Sequence, residues 1–462
     1  VSGESEAISA IRYALADQTV RPDCLEAFAA ALLRHHRSAL RCRDGVDPTE
    51  WPFPVQAIPW YSLGFKNLDP GRRPSRMLDY AAGDFFLQDA GSMLALAACR
   101  ADVADQQPRL ICDLCAAPGG KASALLESIG SGFLLANEPI RSRVAPLAFN
   151  LARTGNPRYA ISSSDPDVLA DRLAGQFDLV LVDAPCSGQA LLGRGKQSVA
   201  ALSSRQIEHS AGRARRILSA AVRLLRPGGQ LVFSTCTFAE QENESQVRWL
   251  LGQPEIVSDP LDRLLAYRSS ELDCAWRLWP HLHDCAGGFA ASLRVSGATD
   301  GRHETSAVTR STAGRGRRRD PSEAIPDGLA EWYEDPPRRC CVRGAVAWGW
   351  PDDAPEWTES VAVAGPEIAY RTGRTWKPSY DAALRRTGNM RAVGSVDVSA
   401  DQAVLFLGGH PIECGGNGWC VVRHRGRPLG WAKVTRKTGK NHLPAAARMD
   451  GVDPLTREAT RE

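Results

Sequence analysis

Two cysteines fifty residues apart close two strand-like runs: Cys186 in DAPCSG (183–188) and Cys236 in STCTF (234–238). A lone cysteine at a strand end is ordinarily a small buried hydrophobe. Here both lie in register with a glycine turn, DLCAAPGGK (113–121), so a thiol pair stands beside a cofactor-type loop. Such a pair suits group transfer to a weakly nucleophilic carbon. Carbon 5 of cytosine is one: it attacks a methyl sulfonium only after a thiolate has added to carbon 6, and a second group must then help release the product. A free thiol has a pKa near ~8.5 and is mostly protonated at neutral pH, so the site must assist it. Chemistry alone does not say which cysteine attacks.

The glycine turn follows the apolar run RLICDLC (109–115). In an open α/β sheet, ligands bind past the carboxyl ends of the strands, where glycines let them approach a helix N-terminus. Gly119 and Gly120 occupy that place. Glu138, which closes GFLLANE (132–138), can accept both hydroxyls of a ribose, and Asp165, which closes RYAISSSD (158–165), can meet the base edge of an adenosine. The loop lacks both the Walker Gly-Lys-Ser/Thr signature and a complete GxGxxG. A nucleoside such as S-adenosylmethionine is therefore favoured over a triphosphate or NAD.

These residues need a sheet to position them. FDLVLVDAP (177–185) is almost continuously apolar, as in a strand buried on both faces. Apolar residues from Ile207 to Leu225 recur at three- and four-residue spacing, which predicts an amphipathic helix over 203–226, stopped by Pro227-Gly228-Gly229 before the strand QLVFSTC (230–236). The alternation over 109–236 predicts an α/β fold, a Rossmann-like domain with a parallel sheet covered on both faces. It is expected to span 89–297, preceded by a small N-terminal RNA-binding domain over 1–88 that holds WPFPVQAIPW (51–60). A disordered basic linker is expected over 298–328, where GRGRRRD lies, and a β-rich C-terminal RNA-binding region over 329–452.

A formal charge of +3 is too small to imply nucleic acid, but the charge is unevenly placed. From Cys414 to Met449 there is no acidic residue, while Arg423, Arg425, Arg427, Lys433, Arg436, Lys437, Lys440 and Arg448 are all basic. Thirteen cysteines without a secreted-scaffold spacing favour free thiols in a reducing compartment. Cys112 and Cys115 are half of a zinc spacing, but no second pair follows, so no metal is expected. VSGESEAISAIRYALADQ lacks the basic head and apolar core of a signal peptide, and no run of about 18 apolar residues occurs. The expectation is a cytoplasmic monomer whose partner is RNA, without membrane contact.

The three strings resemble, nearly letter for letter, those of the RNA (cytosine-5) methyltransferases of the Sun/RsmF (RsmB/NOP) type. AIPWYSLGF (57–65), FFLQDAGSM (85–93), AEQENES (239–245) and RLWPHLHDCAGGFAASL (277–293) resemble further family segments, and GRPLGWAKVTRKTGKNHLP resembles the family's C-terminal PUA-like module. The resemblance implies a class I methyltransferase domain using S-adenosylmethionine, with Cys236 as nucleophile, Cys186 assisting product release, Asp183 holding the cytosine edge and Pro185 shaping the turn. It implies a cofactor site over Cys115, Ala116, Ala117, Pro118, Gly119, Gly120, Lys121, Glu138, Arg143, Asp165 and Asp183, with Lys121 also near the target. RNA contacts are expected at Arg423, Arg425, Lys433, Arg436, Lys437 and Lys440. Small-subunit rRNA is the expected substrate; tRNA, or a non-catalytic role in ribosome assembly, are the alternatives. Where many members continue past DAPCSG with Gly-x-Gly and an arginine, this chain reads QALLGRGKQS (189–198).

Overall fold

The computed structural model describes residues 22–103, 109–297, 328–386 and 392–453, together with Ile8, Ile11 and Pro326. Most of the expected basic linker lies outside the described residues. After a helix at Leu25–Leu33, four strands, β1 (Ala39–Cys42), β2 (Val55–Ile58), β3 (Tyr61–Asn67) and β4 (Phe85–Gln88), form an antiparallel sheet in the order β2-β3-β1-β4.

The central sheet contains β5 (Leu110–Asp113), β6 (Phe133–Asn137), β7 (Tyr159–Ser162), β8 (Phe177–Asp183), β9 (Leu225–Thr235), β10 (Ile256–Ser258), β11 (Ala275–Leu278) and β12 (Gly288–Val295). Its order is β10-β12-β9-β8-β5-β6-β7, with β11 also pairing β12. Strands β5 to β9 are parallel, whereas β12 runs antiparallel to β9. The expected Rossmann-like α/β domain is present. Residues Phe177–Val182 are fully buried, because a parallel strand packed by helices on both faces has no solvent side. The long helix is Ser204–Leu224, capped by Ser203, which accepts from the backbone N–H of Gln206. The Pro227-Gly228-Gly229 stop lies inside β9 as an irregularity: the pairing with β8 shifts between Phe177 and Leu179.

The C-terminal region consists of two sheets. Strands β13 (Arg339–Arg343), β14 (Val346–Trp350), β15 (Glu367–Thr372) and β16 (Thr375–Pro378) form an antiparallel meander. Strands β17 (Ser395–Asp397), β18 (Ile412–Glu413), β19 (Gly418–His424), β20 (Arg427–Thr435) and β21 (Thr438–Asn441) form the second, in the order β17-β19-β20-β21-β18. The meander packs on the central domain: Trp348 and Trp350 join the core formed by β5, β8 and the long helix, and the Trp350 indole donates to the Tyr159 carbonyl at 2.8 Å.

The N-terminal part packs directly on the central domain. Phe28 of its helix packs against Phe238 and Trp279, in a cluster that includes Ala190 and Leu192 of the loop after Cys186. Arg41 and Arg43 of the first sheet pair with Glu127 of the central domain. Arg427 of β20 pairs in turn with Asp79 and Asp84, which belong to the N-terminal part. The three parts are thus joined by buried charge.

Candidate active site

The carboxyl ends of β5, β8 and β9 open into a cleft of about 380 Å³. A larger cavity of about 650 Å³ lies elsewhere, between Arg158 and the first C-terminal sheet, and its lining contains no thiol. The cleft is lined by Cys115, Ala116, Ala117, Pro118, Gly120, Lys121, Arg143, Asp183, Ser234 and Cys236. Its floor forms because β8 and β9 are in register at their ends, where Asp183 pairs with Ser234. That register brings Cys186 and Cys236 together: their sulfurs are 3.2 Å apart, and the Cys236 backbone N–H reaches the Cys186 sulfur at 3.3 Å.

Asp183 is fixed from both sides. Lys121 donates to Oδ2 and the Ser234 hydroxyl to Oδ1, each at 2.7 Å. Burial alone would lower the pKa of the Lys121 ammonium, but Asp183 outweighs it and the net direction is upward. The hydrogen bond to Cys236, together with burial, pushes the Cys186 thiol well above its ordinary range. Asp113, at the end of β5, is pushed up to about 7 by burial and by Asp183, and its Oδ2 is buried without a hydrogen-bond partner.

A clamp beneath the floor holds the two cysteine loops together. The carboxylate of Glu242 accepts from the Ser187 backbone N–H at 2.8 Å and from the Ser187 hydroxyl at 2.5 Å, and the Ser187 and Thr237 hydroxyls are 2.8 Å apart. Asn243 takes the Thr235 hydroxyl and donates to the Thr237 carbonyl. Ser187, Thr237, Glu242 and Asn243 are all fully buried. Burial raises the pKa of Glu242, opposed by these hydrogen bonds. Next along, Glu244 forms a buried pair with Arg277, which also donates to the Phe238 carbonyl.

The glycine turn is built for close approach. Gly119 has φ +111°, and a Cβ there would lie 3.0 Å from the Cβ of Asn150. Asn150 donates to the Pro118 carbonyl and Arg143 to the Ala117 carbonyl, so the turn is tied to the following helix. Arg143 also pairs with Glu138, whose carboxylate is 2% exposed and accepts from the Ile140 N–H. Asp165 caps the helix Pro166–Arg172 and pairs with Arg216, away from the cleft lining. Of the other catalytic and cofactor residues read from the sequence, Cys115, Ala116, Ala117, Pro118, Gly120, Lys121, Arg143, Asp183 and Cys236 line this one cavity, whereas Gly119, Glu138 and Cys186 are not part of its lining.

The opposite wall comes from elements the sequence did not place here: Phe86, Leu87 and Gln88 of β4, and Gly287 and Gly288, the second of which opens β12. A Cβ at Gly91 would stand 2.4 Å from the Gly287 carbonyl oxygen, so these two segments must meet as bare backbone. Arg194, from the loop that follows Cys186, pairs with Asp89 at 2.6 Å, and both line the cleft. The only advance signal for this wall was that FFLQDAGSM and the Gly287-Gly288 segment looked like family strings. His281 lies against Phe28 and Trp279.

Comparison with known proteins gives this cleft its context. The sequence profile of the 16S rRNA methyltransferase RsmB/F family matches residues 102–294, and that of the RsmF PUA domain matches 393–449. Residues 102–294 are thus a methyltransferase domain of the RsmB/F type, and residues 393–449 a PUA domain of the RsmF type. It is 35% identical over 263 residues to the ribosomal RNA small subunit methyltransferase F of Klebsiella pneumoniae (strain 342), an alignment covering 55% of this chain and 54% of that protein, about half its length. With the protein of the same name from Enterobacter sp. (strain 638) the identity is 28%, over 88% of this chain and 86% of that one. A methyltransferase homologue from Pyrococcus horikoshii shares the fold, with a TM-score of 0.53 and 23% identity over 62% of this chain and 99% of that chain. The PUA profile falls on the second C-terminal sheet and leaves the meander outside it.

A methyltransferase domain of this type takes S-adenosylmethionine as its methyl donor, and the cleft fits it. The glycine turn admits close backbone approach, the cavity is of small-molecule size, and the unpartnered Asp113 oxygen is a buried acceptor at its edge. Among the described residues no cluster of His, Cys, Asp and Glu could hold a metal ion, and no helix is long and apolar enough to cross a membrane.

Proposed function

We propose that this chain methylates carbon 5 of a cytosine in RNA, with small-subunit rRNA as substrate, through a covalent adduct between Cys236 and carbon 6. The observation that carries the reading is the thiol pair, 3.2 Å apart past the ends of β8 and β9, of which Cys236 lines the same cleft as the glycine turn. The names of the relatives support an rRNA substrate.

In this reading the Cys236 thiolate, on the cavity side of the pair, adds to carbon 6. Cys186, with its pKa raised by Cys236 and by burial, stays protonated and steadies the attacking sulfur. The Lys121–Asp183 pair faces the polar edge of the ring and offsets the charge that develops there. Gly119 and Gly120 would hold S-adenosylmethionine, which when bound would supply an electrophilic methyl group for the activated carbon 5. Once Cys236 is bound in a thioether, the Cys186 thiol gives up its proton to water, and the resulting thiolate takes the proton from carbon 5 as the bond between carbon 6 and the Cys236 sulfur breaks. The ring regains aromaticity, and the Cys236 thiolate leaves.

The test replaces the release group. Cys186→Ala should accumulate a denaturant-resistant protein–RNA adduct that disappears when Cys236→Ala is added, and sequencing the attached RNA names the target. An adduct that survives loss of Cys236, or full 5-methylcytosine formation by Cys236→Ala alone, would sink the assignment.

A further inference from the structure

The basic stretch that follows Cys414 is a single run in sequence but not a single surface. Arg423, Arg425 and Arg427 sit at one end of the β19–β20 hairpin. There Asp397 accepts from the backbone N–H groups of Arg425 and Gly426, Arg423 donates to the Gly426 carbonyl, and Arg427 is held by Asp79 and Asp84. This end joins the PUA-type sheet to the N-terminal part.

The opposite end is different. Trp419 of β19, Lys433 of β20 and Lys440 of β21 are register partners across three strands, and therefore share one face. Lys433 Nζ lies 5.7 Å from the centre of the Trp419 ring, and the His442 ring packs against the same indole at 4.4 Å. Further along this face Val421 and Trp431 are buried against the meander, so the face is half covered. The meander brings Lys377 of β16 to the uncovered half, where Lys377, Lys433 and Lys440 together depress the pKa of His442, after burial, to about 4. Arg436 and Lys437 form the exposed β20–β21 turn beside it. Among the described residues no carboxylate lies within ion-pair distance of these three lysines, although Glu413 of β18 shares the face.

We infer that this lysine-rimmed indole, shared by the PUA-type sheet and the meander, is where the RNA strand is held, and that the Arg423–Arg427 end takes no part. Unpaired ammonium groups around an aromatic face suit a polynucleotide: the cations meet phosphates while the ring offers a stacking surface. The inference rests on the proposed function, and adds that the RNA surface crosses from one sheet to the other.

The test measures binding of the full chain to a small-subunit rRNA transcript across a salt series. Lys377→Gln/Lys433→Gln/Lys440→Gln should weaken binding at least about tenfold near physiological salt and lower the salt slope by about 2, at roughly 0.7 per lost phosphate contact. Arg423→Gln/Arg425→Gln should change binding less than about twofold, and unfolding curves should show both variants folded. Equal losses from the two ends, or a loss confined to Arg423 and Arg425, would overturn the division. A wild-type chain that neither binds nor methylates the transcript would remove the function on which the inference rests. Wild-type activity with undiminished binding by the triple variant would remove this inference alone.

Discussion

The cleft and the free end of the C-terminal sheet treat positive charge in opposite ways. In and around the cleft each of the cations that shape it has a carboxylate: Lys121 has Asp183, Arg143 has Glu138, Arg194 has Asp89 and Arg277 has Glu244. At the free end Lys377, Lys433 and Lys440 surround a neutral His442 with no acidic partner among the described residues. A paired cation in a buried site fixes the direction of its partner and contributes little free attraction. An unpaired one on a half-covered face keeps its attraction for whatever arrives. The difference separates orientation from capture within one chain.

Three changes would break or sharpen this contrast. Arg277→Met should have the largest effect, because it leaves Glu244 buried and unpaired beside the floor of the cleft. A loss of about 3–5 kcal/mol is expected in urea unfolding, with part recovered by adding Glu244→Gln. A neutral result would mean that the pair does not orient anything. Glu242→Ala should come next. It frees the Ser187 N–H and hydroxyl that hold the two cysteine loops in register. The expected fall in kcat is about 100-fold, with KM for RNA little changed, since capture occurs elsewhere; a change in KM alone would show that the clamp serves binding instead.

The smallest effect concerns His442, whose pKa is lowered from 6.5 to about 4 by burial and then by the three lysines. Between those values the unfolded chain binds a proton that the folded chain refuses, so this group makes stability fall as the pH drops from 6.5 towards 4. His442→Gln should flatten that part of the stability curve, read as urea midpoints at several pH values. An unchanged slope would mean that the ring is not crowded by cations in solution.

Much of the cleft was legible in the sequence because its signals are local. A strand such as FDLVLVD announces its burial on both faces, a glycine turn must follow a strand to be useful, and two cysteines at equivalent strand ends must meet if those strands are neighbours. The C-terminal surface was not legible in the same way. Arg423 and Lys433 are ten residues apart in a basic run, yet the run folds into three antiparallel strands and its ends separate. Lys377 reaches the same patch only through the meander, and nothing in a local pattern records that. The β4 wall escaped for a related reason: a short strand of an N-terminal sheet carries no mark of the distant loop it will face. Glu242 lay in the AEQENES segment, but its partner Ser187 is 55 residues earlier. Its role follows only once β8 and β9 are paired.

The bond between Arg427 and Asp79 spans 348 residues, so Asp79 is made roughly 20–70 s before its partner. During that interval Asp79 and Asp84 have no Arg427, Lys66 must wait for the carbonyl of His283, and Phe86 and Gln88 face a cleft whose far side has not been synthesised. The order of translation thus acts as a timer. A nascent chain has no complete cleft until the segment that ends in Gly287, Gly288 and Phe289 has emerged.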